Sequence, residues 1–238
     1  IVSGDFPRLP GFVLECTDPS GGKHIIRFCL LSDDLVAYIA GIGGVYRVID
    51  NGVEFDDIDG HWARDYIGFV AARMLFGGTG GGMFSPDIPM TRAMFVTVLG
   101  RLADVAESEH GGNRFSDTAA GTWYTAFVEW ASEAGIVEGY GDGNFGPDDY
   151  VTREQMCVLI LRFLDHMGMT LEPVNEPREF DDADGISPWA LDAVDFCRRA
   201  GLVEGTGQNL FDPKGPSTRA QVATIFERLI RAVISGRM

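Results

Sequence analysis

Hydrophobic positions follow two different rules along this chain. From Phe55 onward they recur three and four residues apart, which places them on one face of an α-helix. The spacing predicts six amphipathic helices that come in pairs. In the first helix of each pair the apolar positions are Tyr66, Phe69 and Val70, then Phe127, Trp130 and Ala131, then Ala193, Phe196 and Cys197. In the second helix they are Phe95, Val98, Leu99 and Leu102, then Met156, Leu159, Ile160 and Phe163, then Val222, Ile225, Phe226 and Leu229.

Before residue 53 the pattern is that of β-strands. Short β-branched and aromatic runs at residues 11–16, 24–30, 35–40 and 45–49 are separated by glycine, proline or aspartate. Such runs predict about four strands. Four strands are few for an independent domain. We predict that residues 1–52 are the end of a preceding domain, and the alternative is a small sheet packed on the helices.

The helix pairs belong to a unit that occurs three times. Each copy has a tryptophan before its first helix, glycine near the end of that helix (Gly77 and Gly78, Gly135, Gly201), then a glycine-rich loop that ends in Phe-x-Pro, and Thr-Arg at the second helix. The matched residues are Trp62, Phe84, Pro86, Thr91 and Arg92; Trp123, Phe145, Pro147, Thr152 and Arg153; and Trp189, Phe211, Pro213, Thr218 and Arg219. We therefore predict three tandem repeats, at residues 53–110, 111–175 and 176–238.

The Thr-Arg pair combines a structural residue with one that needs a partner. Threonine is a good helix N-cap, and Gln155 and Gln221 complete a capping-box pattern that Met94 leaves half made. Arginine in a first helical turn opposes the helix dipole, at a cost of about 0.3–1 kcal/mol. Such an arginine should have an anionic partner, which is either a buried aspartate of the chain or an external carboxylate or phosphate.

Two further residue types recur at matched positions. Asp57, Asp117 and Asp182 precede the first helix of each repeat, where they either cap or pair within the protein or hydrogen-bond a ligand. Tryptophan in a repeat belongs more commonly to the core. The alternative is a partly exposed indole that stacks on a sugar ring through its apolar face.

Charge and composition exclude several kinds of partner. The net charge of −16 and the isoelectric point near 4.5 argue against nucleic acid and against anionic lipid surfaces. No apolar run is long enough to predict a membrane-spanning helix. The first residues contain neither an initiator methionine nor a signal-peptide pattern, so we expect the chain to be part of a longer or processed protein.

Cysteines, metal ligands and catalytic motifs add little. Cys157 and Cys197 fall on apolar helix positions and should pack as small hydrophobes, whereas Cys16 and Cys29 either form a disulfide between two strands or stay free. The loop at residues 139–145 resembles a calcium loop, but the other repeats lack its carboxylates, so we predict no metal and no cofactor. No catalytic motif is present, and residues 1–52 are too short for a usual hydrolase. We therefore predict that this is not an enzyme.

The triplicated order of motifs resembles the S-layer homology (SLH) domain family. The likeness runs roughly from residue 53 to residue 233: F-x-D, tryptophan, helix, glycine loop with F-x-P, then Thr-Arg and a second helix. The resemblance implies a mainly α fold of three helix–loop–helix repeats in a pseudo-threefold arrangement, with grooves between neighbouring repeats. It also implies non-covalent anchoring of an exported protein to bacterial cell-wall polysaccharide, a pyruvylated secondary polymer. The residues that it places in glycan binding are Arg92, Arg153 and Arg219, Asp57, Asp117 and Asp182, and Trp62, Trp123 and Trp189.

The sequence departs from the family pattern at several positions. The family glutamate is replaced by Met94, Gln155 and Gln221, and Lys214 stands where the other repeats have Asp87 and Asp148. We expect repeat one, which lacks the polar cap residue, to be the weakest binder. We also expect each arginine to lie beside free helix N–H groups that bind an anion. The alternative function is a self-assembly module that contacts surface-layer proteins and whose grooves are vestigial.

Overall fold

The computed structural model describes residues 10–31, 36–39, 41–112, 114–176 and 178–236. The chain forms two compact units. The first unit combines Ile1–Ile88 with Arg219–Met238, and the second contains Pro89–Thr218.

The first unit contains the strands and two helices. A three-stranded antiparallel sheet has the order β2-β1-β5, and β3 pairs with β4. The strands are β1 Phe12–Thr17, β2 Lys23–Ile26, β3 Cys29–Leu31, β4 Val36–Tyr38 and β5 Val45–Asp50, and the helices are α1 Arg64–Ala72 and α6 Arg219–Ser235. The described residues thus hold five strands where we predicted about four, because the predicted run 24–30 breaks at Arg27 and Phe28. Leu35 and Ala40, the ends of the third predicted run, lie outside the described residues.

The small sheet shares its core with α1. Val13, Leu14 and Ile26 pack in one buried cluster that includes Ala72 of α1. The Asn51 side chain also donates a hydrogen bond of 2.6 Å to the carbonyl of Ala72. These contacts are those of a sheet packed on the helices. The assignment of residues 1–52 to a preceding domain stays a prediction.

The second unit consists of four helices and their loops. The helices are α2 Arg92–Leu102, α3 Thr125–Glu133, α4 Arg153–His166 and α5 Leu191–Arg199, and α2 packs on α3 as α4 packs on α5. A Cβ atom on Gly100 would lie 2.4 Å from the Phe127 ring, so only glycine permits this close approach of α2 to α3. Every apolar position predicted for the second helices is buried, which confirms the helical spacing.

The ends of the helices follow the predicted chemistry with one correction. Thr152 and Gln155 form a capping box, whereas Thr91 accepts only from the Met94 N–H, at 3.2 Å. After the first helix, Gly135 and Gly201 adopt φ of 71° and 72°. In repeat one the matching residue is Met74, with φ of 58°, and not the predicted Gly77 and Gly78. Its side chain is exposed, so the left-handed turn forms without a steric conflict in the core.

The four cysteines are free thiols and are buried. The disulfide alternative for Cys16 and Cys29 is therefore wrong. The predicted packing of Cys157 and Cys197 is confirmed, and the neighbouring Cys157 together with burial raises the pKa of the Cys197 thiol. Within the described ranges no helix is both long and apolar enough to cross a bilayer. The mainly α class with a strand-rich beginning is confirmed, and the pseudo-threefold arrangement stays a prediction.

Candidate functional site

A carboxylate holds the loop of each repeat from inside that repeat. Asp117 accepts hydrogen bonds from the N–H groups of Phe145, at 2.8 Å, and Gly146, at 2.7 Å. The other repeats have the same arrangement: Asp57 with Phe84 and Ser85, and Asp182 with Phe211 and Asp212. None of the three side chains makes a helix-capping hydrogen bond, although Asp182 stands at the N-cap position of the short 3-10 helix Ala183–Gly185. Each fixes the backbone of the Phe-x-Pro loop.

The recurring arginine reaches the same phenylalanine from another repeat. In the second unit Arg92 donates from Nε to the carbonyl of Phe145, at 2.9 Å, and Arg153 donates to that of Phe211, at 2.6 Å. In the first unit Arg219 donates to the carbonyl of Phe84, at 2.9 Å. Repeat one therefore contacts repeat two, repeat two contacts repeat three, and repeat three contacts repeat one. In each repeat the N–H of this phenylalanine donates to the aspartate of the same repeat, and its C=O accepts from the arginine of another repeat.

The partner of each arginine is mainly the backbone. In the described part of the chain these arginines form no direct ion pair, although the charge of Asp117 acts on Arg92 from nearby. Burial lowers the pKa of Arg92, although electrostatic interactions with Tyr140, Asp149 and Asp117 act in the opposite direction. Burial also lowers the pKa of Arg219 to about 10, which still leaves the guanidinium charged at neutral pH. A direct ion pair with a buried aspartate, the first sequence alternative, is therefore wrong for these three arginines among the described residues. The second alternative, an external carboxylate or phosphate, stays a prediction.

The first N–H groups of the second helices are already used. Arg92 N–H donates to the carbonyl of Asp149, at 2.8 Å, and Ala93 N–H donates to that of Pro147, at 3.1 Å. The matching groups of α4 and α6 also donate to loop carbonyls: Arg153 to Gly215, Glu154 to Pro213, Arg219 to Ile88 and Ala220 to Pro86. The expectation of free helix N–H groups that bind an anion is therefore wrong. An anion would have to be recognised by side chains.

Arg92 differs from the other two arginines in what its guanidinium leaves available. Arg153 also donates from Nη2 to the carbonyl of Glu204, at 2.8 Å, and Arg219 does so to that of Gly77, at 2.7 Å. Among the described residues Arg92 donates only from Nε, and its guanidinium stacks 4.8 Å from the ring centroid of Tyr140. Its two Nη groups thus form an unused planar fork, the geometry that binds a carboxylate in a bidentate manner.

A groove of about 260 Å³ adjoins this guanidinium in the second unit. Its side chains include Arg92, Tyr140, Gln155, Arg162 and Trp189. Arg162 pairs with Glu138 across 3.2 Å, so the remaining net charge is that of Arg92. Burial and the hydrogen bond to Asp149 raise the pKa of Tyr140, which keeps its phenol neutral. Among its described side chains the groove therefore offers one cation without an ion-pair partner, two exposed aromatic side chains (Tyr140 and Trp189) and several hydrogen-bonding groups.

The three predicted tryptophans lie in different surroundings. All are more than half exposed: Trp62 at 61%, Trp123 at 53% and Trp189 at 58%. The favoured expectation from sequence, that these tryptophans belong to the core, is therefore wrong, and the alternative of a partly exposed indole is the one observed. Trp189 lines the Arg92 groove, and Trp62 lines a separate cavity in the first unit. Trp123 packs edge-on against Tyr124, with ring centroids 5.1 Å apart.

The sequence did not predict a buried hydrogen-bond network that lies next to Trp189. Glu154 is 3% exposed and accepts from Lys214 Nζ, from the Ser187 N–H at 2.9 Å and from the Ser187 hydroxyl at 3.1 Å. The Lys214 ammonium lies 6.0 Å from the Trp189 ring centroid. Two departures from the repeat pattern mark this network in the sequence. Repeat two has Glu154 where the others have Ala93 and Ala220, and repeat three has Lys214 where the others have Asp87 and Asp148.

Comparison with known proteins decides the family. The S-layer homology domain matches the chain three times, at residues 54–94, 114–157 and 179–223, which is more than half of its length. The chain belongs to the S-layer homology domain family. The three tandem SLH repeats are thereby confirmed.

Curated relatives share this SLH region. The chain is 32% identical to Exoglucanase XynX of Acetivibrio thermocellus, over 92% of this chain and 21% of the relative. It is 34% identical to Amylopullulanase of Thermoanaerobacterium thermosulfurigenes, over 78% of this chain and 10% of the relative. Cellulosome-anchoring protein of Acetivibrio thermocellus is 27% identical, over 66% of this chain and 35% of its own length. The chain thus spans about a third or less of each of these relatives, and the SLH repeats support a cell-surface anchoring module.

Proposed function

We propose that this SLH module is non-catalytic and attaches an exported protein to the bacterial cell wall by binding a pyruvylated secondary cell-wall polysaccharide. The observation that carries the proposal is the Arg92 groove, where an unused guanidinium fork faces the same space as the exposed Trp189. A pyruvate ketal supplies a carboxylate for the fork, and the sugar ring supplies an apolar face for the indole.

The size and charge of the groove favour a short acidic segment. Its volume of about 260 Å³ is just below the range of about 300–1,000 Å³ typical of small-molecule sites, so we expect it to hold one or two sugar units. Arg92 supplies attraction over short range only, because the net charge of −16 repels an anionic polymer at a distance. Binding of the polymer should therefore be weak at each site and gain strength from repeated engagement.

The proposal changes the ranking of the repeats. The sequence predicts that repeat one binds most weakly, because Met94 replaces a polar cap residue. The Arg92 fork supports the opposite order, since the matching Nη2 groups of Arg153 and Arg219 are already bound to carbonyls. The predicted roles of Asp57, Asp117 and Asp182 become indirect, because each carboxylate holds the loop backbone that the arginine also contacts.

Sedimentation with purified cell-wall sacculi tests the proposal. We expect wild-type protein to bind sacculi that keep the secondary polymer and not sacculi from which the polymer has been extracted. Arg92→Lys keeps the charge and loses the planar fork, so it should reduce binding while the unfolding midpoint stays near that of wild type. Equal binding to extracted and intact sacculi would overturn the polysaccharide claim.

The same experiment separates the self-assembly alternative. S-layer protein of Bacillus thuringiensis subsp. finitimus is 27% identical over 79% of this chain, which keeps this alternative open. A self-assembly module should change its sedimentation coefficient with protein concentration in the absence of sacculi. It should also be insensitive to Arg92→Lys. The wall-anchoring function is supported if the sedimentation coefficient stays that of a monomer at all protein concentrations and if Arg92→Lys loses binding to the sacculi.

A further inference from the structure

A second cavity, of about 460 Å³, lies in the first unit among β1, β3, α1 and α6. Its wall includes Phe12, Trp62, Asp65, Tyr66 and Glu227. We propose that this cavity is a separate binding site for a neutral saccharide. The inference stands apart from the proposed function, because none of the residues of the Arg92 groove belongs to this unit.

Aromatic rings form one part of the cavity. Trp62 is 61% exposed, and its ring centroid lies 6.4 Å from that of Tyr66. Phe12 and Phe69 also line the wall. An exposed indole beside further aromatic rings provides an apolar platform for the face of a sugar ring.

The charges of the cavity balance. Two carboxylates, Asp65 and Glu227, face two guanidinium groups, Arg73 and Arg231. Arg231 donates to Glu227, and its guanidinium lies 5.5 Å from the Phe69 ring centroid. An anionic ligand would meet two carboxylates here, so the wall does not favour a charged ligand of either sign.

One buried donor in the wall lacks an acceptor. Arg73 is 1% exposed and donates from Nη1 to the carbonyl of Phe69, at 3.0 Å, and from Nη2 to that of Cys29, at 2.7 Å. Among the described residues its Nε has no hydrogen-bond partner. Buried donors of this kind are normally paired. The Nε atom itself has almost no exposed surface, so a ligand hydroxyl in the cavity would reach it only if the Arg73 side chain shifted.

These features together select the class of ligand. The aromatic rings favour a flat apolar face, the carboxylates favour hydroxyl groups, and the balanced charge disfavours an ion. A β-1,4-linked glucose chain has equatorial ring substituents and thus presents flat apolar faces with hydroxyls at their edges. Cellotetraose is a suitable neutral probe for this reason, and maltotetraose has the same composition with a curved chain.

Calorimetric titration of the whole chain with cellotetraose tests the proposal. We expect saturable binding that Trp62→Ala weakens by about tenfold, since the variant removes the stacking platform. Trp123→Ala is the matched control, because Trp123 is also more than half exposed, in repeat two, and does not line the cavity. This variant should bind cellotetraose like wild type. Asp65→Asn, which removes a charge and keeps hydrogen bonding, should retain binding.

Three results would overturn the inference. They are the absence of a cellotetraose signal at millimolar concentration, an equal loss in Trp62→Ala and Trp123→Ala, and displacement of cellotetraose by an acidic wall glycan. Arg92→Lys should leave cellotetraose binding unchanged. This variant separates failure of the cavity from failure of the proposed wall-binding groove.

Discussion

The contact between Glu154 and Lys214 gives the sharpest structural prediction. The perturbations are Lys214→Ala, Lys214→Asp and Glu154→Ala, together with the double alanine variant. Glu154 is buried on α4 of repeat two, and Lys214 stands in the loop of repeat three. Because the other repeats have alanine and aspartate at these positions, the pair can form only in this one combination of repeats.

The size of the effect follows from the unequal burial of the two side chains. The Lys214 side chain is 57% exposed, whereas that of Glu154 is 3% exposed. Exposed pairs contribute about 0–1 kcal/mol, and removing one partner of a fully buried pair costs about 3–5 kcal/mol. We therefore expect Lys214→Ala to lower the free energy of unfolding by about 1–2 kcal/mol, between these limits. Glu154→Ala should cost about 2–4 kcal/mol, because the Ser187 N–H and hydroxyl also lose their acceptor.

Chemical denaturation of the four variants and the wild type measures these costs. The double-mutant cycle should give a coupling energy of about 1 kcal/mol. Lys214→Asp should cost more than Lys214→Ala, because it places a carboxylate beside the buried Glu154. Asp148→Ala is the matched control in repeat two and should change stability by less than about 0.5 kcal/mol, since Asp148 is exposed. A coupling energy near zero, or equal costs for the two Lys214 variants, would refute the electrostatic reasoning.

Three further predictions follow from the loops and arginines. Replacing Met74 by glycine should raise the free energy of unfolding by about 1 kcal/mol, and Gly135→Ala should lower it by a similar amount, because both positions have φ in the left-handed region; unchanged denaturation midpoints would contradict this. Burial acts to raise the pKa of Asp57, but the hydrogen bonds from the loop N–H groups and the charge of Arg219 outweigh it and hold the pKa below its ordinary value. The ionised Asp57 therefore stabilises the fold above about pH 4, and this contribution is lost as the pH falls through the folded pKa. Asp57→Asn should flatten the dependence of the free energy of unfolding on pH below about pH 4. Arg153→Ala should cost more stability than Arg92→Ala, since Arg153 binds two carbonyls and Arg92 binds one; thermal unfolding of both variants decides this.

Local patterns predicted the helices well because each signal lies within one element. The apolar positions of α2, α4 and α6 are buried as their spacing requires, and Thr152 and Gln155 form the capping box that their spacing indicates. The strands were predicted less accurately. A break at Arg27 and Phe28, inside an otherwise β-branched run, has no strong turn residue to signal it.

The partners of the site residues could not be predicted in the same way. Arg92 contacts Phe145, which is 53 residues away along the chain, and Glu154 contacts Lys214, which is 60 residues away. Contacts over such separations depend on how the repeats dock, and no local periodicity encodes them. The sequence did locate the arginine as the residue that capping chemistry leaves unexplained. It could not show that loop carbonyls occupy the helix N–H groups, or that Arg92 alone of the three repeated arginines has both Nη groups without a partner among the described residues.

The most direct test of the central claim is a calorimetric titration with a pyruvylated disaccharide of the wall polymer, which is too short to bridge several sites. We predict measurable binding to the wild-type protein and to Trp123→Ala, and a loss of about tenfold or more in Trp189→Ala, which removes the exposed aromatic face of the Arg92 groove. The disaccharide without its pyruvate group should bind no better to wild type than to Arg92→Lys. Binding that is unchanged in Trp189→Ala, or equal with and without pyruvate, would contradict the account.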